Sequence, residues 1–216
     1  LIAQKFGGGE KEQISRILST FLVIAGVAFS LVAVAAFVAA GPLLTVMDTP
    51  SDIFDGAKAY LQIVTVGVPF LTVYNLYAAA IRAVGDSRAP FYAVLVSSAV
   101  NVVLDIIFVA VMGWGVKGAA VATVMAQAAM TVFMVVYGIT KHTLLRFDIK
   151  DIFHKDCLSS GFSFGTPPMV QSCINSFGNM ILQGFMNGFG TATVAAITTA
   201  YRVDCIALLP VINLGS

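Results

Sequence analysis

The stretch IRAVGDSRAP, residues 81–90, carries three charges within seven residues: Arg82, Asp86 and Arg88. The 23 residues that lead into it, Ala59–Ile81, carry none, and neither do the 16 that follow it, Ala89–Leu104. A bilayer core about 30 Å thick takes about 20 apolar residues in a helix. Two such blocks joined by a short basic turn read as a membrane hairpin with its turn at one face. Gly85 supplies the backbone freedom that a tight reversal needs.

Composition extends this reading to the whole chain. Hydrophobic residues make up 58% and charged ones 11%, against about 25% charged in a soluble domain. Uncharged runs cover Ile17–Met47, Ala59–Ile81, Ala89–Val116 (broken once, by Asp105), Gly118–Thr140 and Cys157–Tyr201. The last run is too long for one span. NGFG at 187–190 divides it into a fifth span near Pro167–Phe189 and a sixth from Thr191. Within lipid these must be helices, because every backbone group needs an internal partner. The runs are too long and too little alternating for barrel strands. The expected fold class is an all-α polytopic membrane protein with six transmembrane helices. Pro42 should kink or end the first span and Pro69 should bend the second. Thr166-Pro167 reads as an N-cap with a first-turn proline, and Pro90 opens the third span in the same way. The polar stretch KHTLLRFDIKDIFHKD, residues 141–156, has the pattern of a short surface helix.

Several activities are disfavoured at once. A net charge of +1 gives no electrostatic footprint for nucleic acid. Cys157, Cys173 and Cys205 lack metal or redox spacing. His142 and His154 read as solvated loop residues. GWGVKG, residues 113–118, matches a dinucleotide fingerprint but lies between membrane spans, without the strand and helix that the fingerprint requires. No cofactor is expected. The first residue is Leu1 and the last, Ser216, lies in an apolar run, so the sequence reads as a piece of a longer chain, and the absence of a leader carries no meaning.

Orientation follows from Lys and Arg. The alternate loops 1–16, 82–88 and 141–156 hold nine of them, and the opposite loops hold two, Lys58 and Lys117. The positive-inside rule places the first set in the cytoplasm.

Polar residues inside the spans are costly and therefore informative. Asp105 interrupts its span, and Asn101, four residues earlier, projects from the same helix face. Asp105 and Thr123 each lie about seven residues from the outer ends of adjacent spans, or roughly 10 Å deep at 1.5 Å per residue. Asn101, Asp105 and Thr123 can thus share a pocket, with Asn75 deeper on the second span. A carboxylate with amide and hydroxyl oxygens suits a hard cation. The same carboxylate can carry a proton, and the set also suits interhelical hydrogen bonding. Gln171, Asn175, Asn179, Gln183 and Asn187 recur every four residues and form an amide stripe suited to a water-filled cavity. Asp204 and Arg202 fall in the sixth span.

NLYAAAIRAVGDSRAP, NVVLDIIFV and GVKGAAVATV resemble the multidrug and toxic compound extrusion (MATE) family of antiporters. LIAQKFGGGEKEQISR, GTPPMVQ and FGTATVAAITTAYRVD are similar to other segments of that family, in the same order and spacing. The prokaryotic branch containing the DNA-damage-inducible transporters looks closest. The resemblance implies a twelve-helix, two-lobe transporter of which this chain is about spans three to eight. Residues 1–140 would form part of the N-terminal lobe (about four spans). Residues 141–159 would be a cytoplasmic inter-lobe loop, and 160–216 the start of the C-terminal lobe (about two spans). It further implies export of cationic or amphipathic compounds against sodium ions or protons. The family's cation site would fall on Asn101, Asp105 and Thr123, with Asn75 beside it, while its first-span Asp lies outside the chain. Some members carry a glutamate at the position of Asn175. Gln171, Asn175, Asn179, Gln183 and Asp204 would line the substrate cavity. The expectation is a monomer in the plasma (inner) membrane of a prokaryote, in contact with lipid and small-molecule substrates, and not an enzyme. A lipid-linked oligosaccharide flippase of the same superfamily is the alternative. A channel or assembly subunit is a further one.

Overall fold

A computed structural model of the chain describes residues 1–9, 11–46, 51–145 and 155–187. In order these form α1 (Ile2–Gly7), α2 (Lys11–Val46), α3 (Ser51–Val66), α4 (Val68–Ala83) and α5 (Arg88–Asp105). A π-helical turn (Ile106–Val111), α6 (Gly115–Lys141), a 3-10 turn (Thr143–Leu145) and α7 (Lys155–Asn187) follow. No strand occurs among the described residues. The chain divides into two compact units, Leu1–Gly161 and Phe162–Ser216.

Three segments among the described residues are long and apolar enough to cross a membrane: Gln13–Thr45, Arg88–Val111 and Gly115–Lys141. A fourth is the pair Ile53–Val66 and Val68–Ala83, bent by 40°. The break falls at Gly67, with Pro69 in the first turn of α4. The bend that Pro69 predicts is therefore present. The pair begins earlier than the uncharged run suggests, because Lys58 lies within α3 and stretches its aliphatic stem past Gly41 of α2. Long cationic side chains can be carried this way. α7 is long enough to span, but its serines, amides and prolines lower its apolar character, and it is not among these segments. The expected sixth span lies outside the described residues.

One proline expectation is narrowed and one corrected. Pro42, expected to kink or end its span, does not end the helix, which continues to Val46, with the Thr45 hydroxyl donating to the Gly41 carbonyl at 3.1 Å. Thr166 does not cap a helix either. α7 begins at Lys155, so Pro167 and Pro168 lie inside it, and the Thr166 hydroxyl donates back to the Phe162 carbonyl at 2.6 Å. Ser and Thr hydroxyls can take up such carbonyls inside a helix. Pro90 does sit in the first turn of α5. The stretch expected to form a surface helix holds the end of α6, the 3-10 turn and the start of α7, and its middle lies outside the described residues.

The core of the first unit lies at one end of the bundle. Ile14 and Leu18 of α2, Tyr74, Tyr77, Ala78, Ala80 and Ile81 of α4, and Ala89 and Ala93 of α5 meet there with Met130 and Met134 of α6 and Leu145. Small residues let membrane helices approach closely. Gly138 of α6 shows this directly, since a methyl there would stand 3.0 Å from the Tyr77 ring. Elsewhere α2 and α5 present exposed Leu, Val and Phe side chains, as lipid-facing helices do.

Candidate functional site

α5 and α6 are antiparallel neighbours, and two contacts set their register. The Ser97 hydroxyl donates to the Ala126 carbonyl at 3.2 Å. Nearer the connecting loop, Gly118 lies so close to Phe108 that an added methyl would be 3.0 Å from its Cβ. Between these anchors Asn101 comes level with Thr123. Asp105 lies one turn nearer the connecting loop than Asn101 on the same helix. A π-helical turn follows it directly.

Asp105 is the last residue of α5, and its Oδ1 is fully buried without a hydrogen-bond partner among the described residues. The Thr123 hydroxyl donates to the Ala119 carbonyl of its own helix at 2.9 Å, which leaves its oxygen free to accept or ligate. Asn75 is exposed on α4, and its Nδ2 donates to the Leu71 carbonyl at 2.9 Å, leaving Oδ1 free. Three helices of one unit thus carry Asn75, Asn101, Asp105 and Thr123, with oxygen atoms uncommitted on Asn75, Asp105 and Thr123. Among the described residues, no hydrogen bond joins these side chains directly. An unpartnered carboxylate oxygen in a membrane span calls for a proton, a cation or a water. In α7, Gln171, Asn175 and Asn179 are exposed, four residues apart on one face. Gln183 belongs to the same helix. Asp204 and Arg202 lie outside the described residues.

Sequence reasoning missed a second polar cluster, at the turn quoted first. Asp86 Oδ1 accepts from the backbone N–H groups of Arg88 (3.0 Å) and Ala89 (3.3 Å), so it caps α5. Its Oδ2 accepts from the Tyr137 hydroxyl at 2.8 Å and lies 3.4 Å from His142 Nε2. The Tyr137 hydrogen bond, chiefly, holds the Asp86 carboxyl below its ordinary value, against a smaller opposing effect of burial. His142 is therefore no solvated loop histidine but part of a latch between the α4–α5 turn and the end of α6. The signal was the Asp four residues before Pro90, a capping residue type at a helix start. The other omission is Gln127, whose Oε1 is also buried and unpartnered. In sequence it stands in a run of small residues and reads as packing. The glycines of GWGVKG have structural roles: Gly113 and Gly115 have φ of +69° and +56°, and Gly118 is the close contact to Phe108.

Bent and straight apolar helices in a bundle define a polytopic α-helical membrane protein. A family model described as MatE matches residues 1–107. The probable multidrug resistance proteins YpnP and YoeA of Bacillus subtilis (strain 168) are 28% and 26% identical to this chain, over all of it and 48% of their own lengths. Among solved structures, a MATE in the bent conformation covers 98% of this chain with a TM-score of 0.89 at 22% identity, using 48% of its own length. A mutant of the Vibrio cholerae MATE transporter VcmN covers 98% of this chain and 48% of its own, with a TM-score of 0.88 at 24% identity. The chain is thus similar to proteins of the MATE family in sequence and in fold. It spans about half the length of the curated relatives it matches.

Proposed function

We propose that the protein is a secondary active exporter of cationic or amphipathic compounds, driven by inward movement of sodium ions or protons, with Asp105 as a coupling carboxylate. The observation that carries this reading is the buried, unpartnered Oδ1 of Asp105 in an otherwise uncharged span. Multidrug resistance proteins among the relatives support the substrate class. A proton or cation at Asp105, with Asn101, Thr123 and Asn75 supplying oxygens around it, favours one conformation of the bundle, and substrate favours another. Coupling requires such a difference in affinity between the two states. Gln171, Asn175, Asn179, Gln183 and Asp204 are the proposed cavity lining. The basic loops face the cytoplasm, and the protein works as a monomer without an organic cofactor.

Asp105→Asn keeps the side chain's shape and removes its charge. In proteoliposomes with an imposed sodium or proton gradient, the variant should bind substrate within a few-fold of wild type and show no gradient-driven transport. Coupling free energies of about 1–3 kcal/mol would be lost with it. Wild-type rates would reduce Asp105 to interhelical glue. Transport that continues after the gradient is collapsed would favour a channel instead.

A further inference from the structure

The break in the second span is addressed by two polar side chains from α6. Pro69 has no N–H, so the carbonyl of Thr65, four residues back, loses its helical donor. Gly67 tightens the turn by donating to the Val64 carbonyl at 2.9 Å. α4 then restarts, and the N–H groups of its first turn present a positive end. Against this break lies the Gln127 side chain. A methyl on Gly67 would overlap its Oε1 and stand 3.2 Å from its Cδ. That oxygen is fully buried and has no hydrogen-bond partner among the described residues. One turn further along α6, the Thr131 hydroxyl donates to the Phe70 carbonyl at 2.8 Å. The Thr131 hydroxyl lies equally near the Gln127 carbonyl of its own helix, at 2.8 Å, so its one proton serves either. The Gln127 side chain is thus seated against the break beside Thr131, and glycine at 67 makes room for its amide.

We propose that Gln127 is a positioning residue: its amide, seated on Gly67, holds the 40° bend of the second span and so sets where Asn75 stands. Asn75 lies eight residues beyond Gly67. At 1.5 Å per residue, straightening the span would carry it sideways by roughly 8 Å. Its consequence for transport rests on the coupling role proposed for Asn75, whereas the bend itself does not.

The test uses the protein in liposomes with its native cysteines replaced by serine, and with spin labels at Asp55→Cys and Ser87→Cys on either side of the break. Gln127→Met keeps the volume and removes the amide. It should lengthen the label distance, by up to roughly 3 Å if two 16-residue halves straighten fully. Turnover should fall roughly tenfold, the scale of one coupled contact, with apparent KM within twofold. Gly67→Ala, which displaces the amide, should act in the same direction. The Gly67→Ala/Gln127→Ala pair should be no worse than its worse single variant. Wild-type distance and turnover in Gln127→Met, or effects that multiply in the pair, would overturn the proposal. The distance is read without transport, so a failure of the coupling role proposed for Asp105 leaves this result interpretable.

Discussion

Two aspartates sit at opposite ends of α5, and the protein treats them differently. Asp86 has both carboxylate oxygens engaged, one by the helix N-terminus it caps and the other by Tyr137 and His142. It adjoins the packed core of the first unit. Asp105 has a buried oxygen with no partner, and the regular α-helix gives way to a π-helical turn directly after it. A carboxylate whose oxygens are engaged stabilises, whereas a buried oxygen left unsatisfied costs free energy. π-helical turns recur at functional sites. One end of α5 is therefore tied into a hairpin, and the other carries the carboxylate proposed above as the coupling group.

The sharpest way to break this contrast is to remove the charge at each end in turn. Asp105→Asn should abolish gradient-driven transport and leave thermal stability in detergent unchanged or raised, since a lone buried carboxylate is relieved. Asp86→Asn should do the opposite, lowering stability while gradient coupling persists. If Asp105→Asn melted the protein and Asp86→Asn uncoupled it, the assignment of the two ends would be reversed.

A bulky replacement at Asn175 tests the other unit. Asn175→Phe should change the rank order of exported substrates several-fold and leave ion dependence intact. Loss of expression alone, with rank order preserved, would make the amide stripe packing.

Asp86→Ala should cost about 2 kcal/mol, made up of a lost cap of about 1 kcal/mol and a lost hydrogen bond to a charged, partly exposed group. The pH dependence has a definite sign. The Asp86 carboxyl is held below its ordinary value, so its contribution is complete above the unfolded-state value and fades as pH falls through the lower folded-state one. Melting temperature should lose this contribution only below about pH 4. In Asp86→Asn that part of the acid-side decline should be gone.

Much of the first unit was readable because its signals are long or local. Uncharged runs announced the spans, and Pro69 announced the bend. Gly85, with φ of +93°, announced the hairpin turn. The start of α7 was not readable, because Thr166-Pro167 has the form of a cap while the preceding serines and glycines carry no charge to mark helix or loop. The π-helical turn after Asp105 was hidden too, since no composition signal marks it. Gln127 was missed for a third reason. Its meaning depends on Gly67, distant in sequence, and a single amide among alanines looks like filler.

The smallest expected effects contrast glycines inside and outside the packed end. Gly138 faces the Tyr77 ring, where an added methyl would be 3.0 and 3.1 Å from two ring carbons. Both helices must separate or the ring must turn, so Gly138→Ala should cost about 1–2 kcal/mol through overpacking. Gly26 lies inside α2, and nothing stands within 4 Å of where its Cβ would be. Gly26→Ala therefore meets no obstacle, and the better helix propensity of alanine should be neutral or stabilise by up to about 1 kcal/mol. Thermal melts of the two variants in the same detergent should fall on opposite sides of wild type or leave only Gly138→Ala lowered. Equal losses at both positions would mean that α2 is as tightly covered at Gly26 as α6 is at Gly138, and that the core is not confined to the Asp86 end of the bundle.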